Sequence, residues 1–168
     1  TPSAPVFPAS RSLPRVESVL IRGEGGVPRL ELFLPPGIGF SYSGGGYLLL
    51  QWALEQRTGA SFSTFMRREI LEPAGLDDSS FSLTPALRDA AATYYRPRRR
   101  VRATYHLPGA AGGLYSTAED MGRWLTLYAP GSSIRAELLG ETAFRSLLEP
   151  QGPMTIEGVD TGGSGYAL

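Results

Sequence analysis

The chain contains no cysteine. That excludes disulfide staples, thiol nucleophiles and cysteine-ligated zinc, and it leaves the redox compartment open. Lysine and asparagine are also absent, so all 16 basic residues are arginine. No lysine base, lysine Schiff base or phosphate-loop lysine can be built from these residues. There is one histidine, His106, and no carboxylates stand near it at ligand spacing, so a histidine-based metal site is not expected. No apolar run approaches the roughly 18 residues of a membrane span. The opening "TPSAPVFPAS" has neither a charged start nor an apolar core, so it does not read as a signal peptide. With 16 acidic residues balancing the arginines, the net charge is zero, and neither nucleic acid nor an anionic membrane is expected as the main partner.

What remains is a globular composition of 168 residues, 42% hydrophobic and 19% charged. A chain of this length buries roughly 70% of the surface its unfolded form exposes. No internal repeat or domain boundary is visible. Residues 1–39 are rich in proline and glycine, with a short apolar piece at Val19–Ile21 and a strand-like alternation at Leu30–Leu34 closed by Pro35-Pro36-Gly37. A helix is expected over 45–58, apolar on most sides through Tyr47, Leu48, Leu50, Trp52 and Leu54, and ended by Gly59. A second is expected over 61–72, capped by Ser61, with Phe62, Phe65, Met66 and Ile70 at helical spacing. Residues 77–115 read as mostly loop. A third helix starts at Ser116 or Thr117, where Ser116 and Glu119 fit a capping box, with Met121, Trp124, Leu125 and Tyr128 as its apolar stripe. A shorter helix is expected over Glu141–Leu148, and the tail "TGGSGYAL" reads as a turn entering a strand.

The stretch "GFSYSGGGYLLLQWALEQRTG" at Gly39–Gly59 raises the chemical question, because a tyrosine and a serine precede three glycines and a helix. A nucleophile elbow needs Gly-x-Ser-x-Gly; here Gly45 is present but Ser41 stands at the first glycine, and the imidazole would have to be His106. Alternatively, Tyr42 beside a positive charge could act as a base or proton shuttle for a neighbouring serine. A third possibility is a plain glycine turn capping a helix, with Tyr42 packed. The run "RPRRRVR", holding Arg96, Arg98, Arg99, Arg100 and Arg102, reads as a solvated loop rather than an anion-binding patch. Neither Gly44–Gly46 nor "TGGSG" is followed by the Lys-Ser/Thr of a phosphate loop.

Four segments in order resemble the serine β-lactamase and penicillin-binding-protein superfamily, in its class C-like branch with related esterases and peptidases. "PPGIGFSYSGGGYLLLQWALEQRTGASF" is similar to that family's Pro-Gly, Tyr-Ser and following helix. "FMRREILEPAGLDDSSF" resembles its helix ending in Pro-Leu-Gly-Met with a Thr-x-Phe tail. "AAGGLYSTAEDMGRWL" is similar to its Gly-Gly-Leu, Ser-Thr and Asp segment, and "GSGYAL" to the start of its next strand. The resemblance implies an α/β (α+β) β-lactamase/transpeptidase-like fold, an antiparallel sheet flanked by a helical domain, of which this chain supplies mainly helices with a few short strands. It also implies acyl-enzyme chemistry on an amide, ester or β-lactam, of the β-lactamase, D-Ala-D-Ala peptidase or esterase type, with no cofactor. The partner is a small-molecule or peptide substrate.

In the family, a Ser-x-x-Lys supplies the nucleophile, followed by a Tyr-Ser/Ala-Asn and a Lys-Thr-Gly or His-x-Gly. By resemblance Tyr42 takes the catalytic tyrosine position. Ser43 stands beside it and Gly44 stands where asparagine is usual, so the amide that contacts substrate is missing. Tyr115 would line the substrate cleft. With no lysine, neither Ser-x-x-Lys nor Lys-Thr-Gly can lie within the chain, and by resemblance the first motif is expected before residue 1 and the third after residue 168. The isolated chain is therefore expected to be essentially inactive, as an internal part of a longer enzyme. The resemblance is also compatible with export to the periplasm or beyond. Two further readings stay open: a self-contained esterase using Ser43 and His106, and a non-catalytic binding or inhibitor module.

Overall fold

Five hydroxyl side chains begin five of the described helices in the same way. Ser43, Ser61, Thr84, Thr117 and Ser132 each accept a hydrogen bond from the backbone N–H three residues on, at 3.0, 3.3, 3.2, 3.1 and 3.2 Å. Each satisfies one of the donors that a helix start leaves without an internal partner, an effect worth about 1 kcal/mol per cap. The computed structural model describes residues 6–8, 15–23, 29–31, 35, 42–93, 95–96, 99–100, 104–106, 109–149, 155–156 and 159–160.

Its helices are α1 (Val16–Arg22), α2 (Gly44–Thr58), α3 (Phe62–Met66), α4 (Pro85–Ala90), α5 (Ala118–Leu125), α6 (Ser133–Leu138) and α7 (Gly140–Leu148). A π turn, Arg67–Leu71, prolongs α3, and the N–H of Glu72 reaches back five residues to the carbonyl of Arg67 at 2.9 Å. A 3₁₀ turn, Thr126–Tyr128, follows α5. The strands are short antiparallel pairs. β1 (Val6–Pro8) pairs with β4 (Thr104–His106), with Val6 opposite His106. β2 (Tyr95–Arg96) pairs with β3 (Arg99–Arg100), and β5 (Thr155–Ile156) with β6 (Val159–Asp160).

The expectation of a mainly helical chain with a few short strands holds. The helix expected over 45–58 forms one residue earlier, and Gly59 closes it in the left-handed conformation at φ 69°, where its N–H reaches the carbonyl of Glu55. The helix expected over 61–72 is present but finishes in the π turn. Elsewhere the structure adds detail to the expectations. The described residues of 77–115 are mostly loop, as expected, interrupted by α4 and three short strands, with Arg96 on β2 and Arg99 and Arg100 on β3. The apolar piece at Val19–Ile21 belongs to a helix. α6 was not foreseen. Residues 32–34 of the expected strand, and the glycine-rich tail, lie outside the described residues.

Two apolar clusters organise the packing. Val16, Val19 and Leu20 of α1 meet Leu48 of α2, with Leu30, Trp52 and Ala111 packed around them. Leu48 is 1% exposed, and burying a leucine this far stabilises by about 2 kcal/mol. Leu71, Ala74 and Leu76 form the second cluster with Phe81, Trp124, Ile134 and Leu138. Phe62 stands edge-on to Phe81 at 5.0 Å, and Arg135 covers the ring of Phe144 at 4.5 Å. α2 is not buried on most sides: Tyr47, Leu49 and Leu50 are exposed, Leu50 to 65%, while the polar Gln51 is buried. Likewise Leu125 and Tyr128 of the expected stripe face outward, and Leu127 turns in.

Candidate active site

The Tyr42–Gly46 segment is set by its helix start. Ser43 has ordinary extended backbone angles, φ −144° and ψ 106°, and its hydroxyl oxygen accepts the N–H of Gly46 at 3.0 Å. Gly44 is buried. Gly45 lies against Leu30: a β-carbon there would stand 2.8 Å from Leu30 Cδ1, closer than a side chain tolerates. The middle glycine of the run is thus a close approach between backbone and core. Tyr42 precedes this turn and is 73% exposed.

The second segment is the turn at 109–113, which leads to Tyr115. It is closed by the N–H of Gly113 donating to the carbonyl of Gly109 at 2.9 Å. Gly109 is buried with φ 153°, and a β-carbon on it would fall 1.6 Å from Gln51 Oε1. Only a glycine lets that turn settle on α2. Gln51, 4% exposed, accepts the N–H of Ala110 at 3.1 Å through Oε1. Its Nε2 donates to Glu55 Oε1 at 3.1 Å, and Glu55 also accepts the N–H of Phe62 at 2.9 Å. Beyond the turn, Tyr115 and Ser80 exchange backbone hydrogen bonds at 2.8 and 2.9 Å.

A buried carboxylate secures the far side of Tyr115. Asp120, 3% exposed, accepts the N–H of Asp78 at 3.0 Å and the hydroxyl of Ser79 at 2.7 Å. The Ser79 hydroxyl also meets that of Ser116 at 2.7 Å. Arg123, one turn further along α5, donates to the carbonyl of Gly75 at 2.8 Å. The expected Ser116–Glu119 capping box is therefore replaced: Thr117 caps the helix, because Ser116 is engaged with Ser79.

The sequence-derived site residues divide accordingly. Tyr42, Ser43 and Gly44 share one turn; Tyr115 lies on a separate segment, joined to the same helix through Gln51. His106 lies on β4, and its side chain falls outside the described atoms. Gln51, Glu55 and Asp120 were missed as site-building residues. One signal was available for the first two: a glutamine and a glutamate four apart, on the stripe that also holds Leu48 and Trp52. Among the described residues, no three metal-ligating side chains cluster, and no helix is long and apolar enough to cross a membrane.

Comparison with known proteins matches the profile of the Beta-lactamase family to residues 27–167. A Homo sapiens protein described as beta-lactamase-like 1 is 30% identical over 122 residues, which is 71% of this chain and 24% of that protein. The structure of a penicillin-binding protein from Bacillus halodurans superposes with a TM-score of 0.60 at 31% identity, over 79% of this chain and 40% of the other. D-amino acid amidase from Ochrobactrum anthropi SV3 with bound D-phenylalanine superposes with a TM-score of 0.65 at 19% identity, over 98% of this chain and 50% of that one. The chain spans about a quarter of the human relative and at most half of these solved structures.

Proposed function

Because the chain belongs to the Beta-lactamase family, whose β-lactamase/transpeptidase-like fold it shares, we propose that it forms the Tyr42 side of the active site in a larger serine hydrolase working through an acyl-enzyme. The observation that carries this reading is the division of labour in the Tyr42–Gly46 turn. The Ser43 hydroxyl accepts from Gly46 as a helix cap, while the Tyr42 phenol precedes the same turn and is 73% exposed. Tyr42 is thus the group available for proton transfer. Ser43 lacks the strained backbone that lifts the serine of a nucleophile elbow out of its turn.

In this mechanism a serine from a Ser-x-x-Lys motif outside residues 1–168 attacks the carbonyl carbon of an amide, ester or β-lactam. Its proton passes to the lysine–Tyr42 pair and from there to the leaving nitrogen or oxygen as the carbonyl bond to it breaks. Water then repeats the sequence and releases the acid. Gly44 offers no side-chain amide to the substrate, so recognition falls to backbone groups and to Tyr115 as a wall of the cleft. The likeness to the penicillin-binding protein from Bacillus halodurans, 31% identical, supports penicillins as first probes.

Intact mass after incubation with a fluorescent penicillin and, separately, a fluorophosphonate tests the reading. The 168-residue chain is expected to gain no adduct. A longer protein from the same gene is expected to gain one, on the serine of a Ser-x-x-Lys. There, Tyr42→Phe should slow acylation by about 10²–10⁴-fold. An adduct on Ser43 of the isolated chain would overturn the proposal and establish the Ser43–His106 esterase; no adduct on the longer protein would favour a binding module.

A further inference from the structure

A buried glutamine holding another segment's backbone is an unusual element in an apolar helix stripe. On α2, Leu48 and Trp52 pack into the first core cluster, and Gln51 lies between them in sequence. A buried side-chain amide is tolerated only when its donors and acceptors are met. Gln51 meets them in two directions: Oε1 accepts from Ala110, 59 positions later in the chain, and Nε2 donates to Glu55. Glu55 in turn holds the N–H of Phe62 at the start of α3. Gly109 gives way completely, since any side chain there would occupy the space of the Gln51 amide. Among the described residues, the Gln51 amide ties the 109–113 turn to α2 through the Ala110 N–H.

From this geometry we infer that Gln51 is a positioning residue: its amide, oriented by Glu55, clamps the Gly109–Gly113 turn to α2 and fixes the Tyr115 segment relative to the Tyr42 turn. Ser43 and Gln51 are eight residues apart on one helix, about 12 Å along its axis. The clamp therefore sets one wall against the other through a rigid rod. Ser80 and Asp120 hold the other end of the Tyr115 segment. The role attributed to the two segments, as walls of one cleft, rests on the reading given under Proposed function.

Two substitutions separate a hydrogen-bonding clamp from simple filling of space. Gln51→Met keeps the length and volume of the side chain but offers Ala110 no oxygen. The double variant Gln51→Glu/Glu55→Gln exchanges amide and carboxylate. Position 51 still accepts from Ala110, position 55 donates to it, and position 55 still accepts from Phe62. Site-resolved hydrogen exchange on the 168-residue chain provides the readout, with α5 amides as the reference for intact folding. In Gln51→Met, exchange at Ala110 should rise about tenfold or more, while α5 stays within twofold. The double variant should restore Ala110 protection. Unchanged exchange at Ala110 in Gln51→Met would overturn the inference, as would a loss spread equally over α5, or a double variant no better than the single one. This readout needs no catalysis. A failed covalent labelling of the longer protein would remove the active-site reading and leave the clamp standing. Where labelling succeeds, Gln51→Met in the longer protein should raise KM about tenfold with kcat little changed, the signature of lost ground-state positioning.

Discussion

Replacing Asp120 should cost more than replacing any exposed charge in the chain, and the cost can be worked from its bonds. Its Oδ2 accepts from the Asp78 N–H at 3.0 Å and from the Ser79 hydroxyl at 2.7 Å, in a site 3% exposed. Hydrogen bonds to a charged group contribute about 1.5–3 kcal/mol each, against about 0.5–1.5 for neutral pairs. Asp120→Asn can turn its amide oxygen to both donors, so it loses only the charge assistance, about 2 kcal/mol in total. Asp120→Ala removes both bonds. Asp78 lies at the exposed surface and Ser79 keeps Ser116 as a partner, so the two donors are not wholly orphaned, and about 3–4 kcal/mol is expected. For a chain of this size each kcal/mol lowers Tm by about 2–4 °C. The asparagine variant should then melt about 4–8 °C below the parent, and the alanine variant about 6–16 °C below. A double-mutant cycle with Ser79→Ala, followed by urea unfolding, should give a coupling of about 1–2 kcal/mol. If Asp120→Ala costs under about 1 kcal/mol, or Asp120→Asn costs as much as alanine, the carboxylate is not holding the 78–79 segment and the reasoning fails.

Other expectations follow from the N-terminal part of α2. Leu48→Ala, at a site 1% exposed, should lose about 3–4 kcal/mol by chemical denaturation, since it removes a fully enclosed side chain from the contact with α1. A loss under 1 kcal/mol would mean that the α1–α2 contact is not a core contact. Ser43→Ala should cost about 1 kcal/mol, a fall of about 2–4 °C in Tm, and Ser43→Gly only a few tenths. Equal losses in both would show that the cap is not what Ser43 contributes.

Much of the helical framework was legible because its signals are local. Ser43 and Gly59 bracket α2 by a hydroxyl cap and a left-handed glycine, and both act within a few residues. Ser61 announces α3 in the same way. The missed elements are those whose cause lies far along the chain. Gln51 is buried because Gly109 and Ala110 come to meet it, and no local pattern foretells that. Leu50 is exposed for the complementary reason: apolar character on a helix does not say which side has a neighbour. Ser116 and Thr117 are equivalent as cap candidates until Ser79 claims one of them. Of the candidate site, the helix start at Tyr42–Gly44 could be read from the sequence, whereas the polar side chains that secure the Tyr115 segment could not.

The π turn has a consequence for how the chain can change. Leu71 follows Phe62 by nine residues, about two and a half turns of a regular α-helix, which would send the two side chains to opposite sides. Phe62 instead meets Phe81 edge-on, and Phe81 packs against the cluster that Leu71 forms with Ala74 and Leu76. The wide turn at Arg67–Leu71 accommodates one residue more than an α turn and so takes back about 100° of rotation. It works as a phase shifter in the rod. Arg67, Arg68 and Glu69 are exposed and open to exchange for other side chains, and the extra residue of the wide turn can itself be spared. Losing it would close the wide turn into a regular α turn and leave Leu71 eight residues after Phe62 at about the same rotation, so this stretch can give up a residue without turning its apolar side chain away from the second cluster.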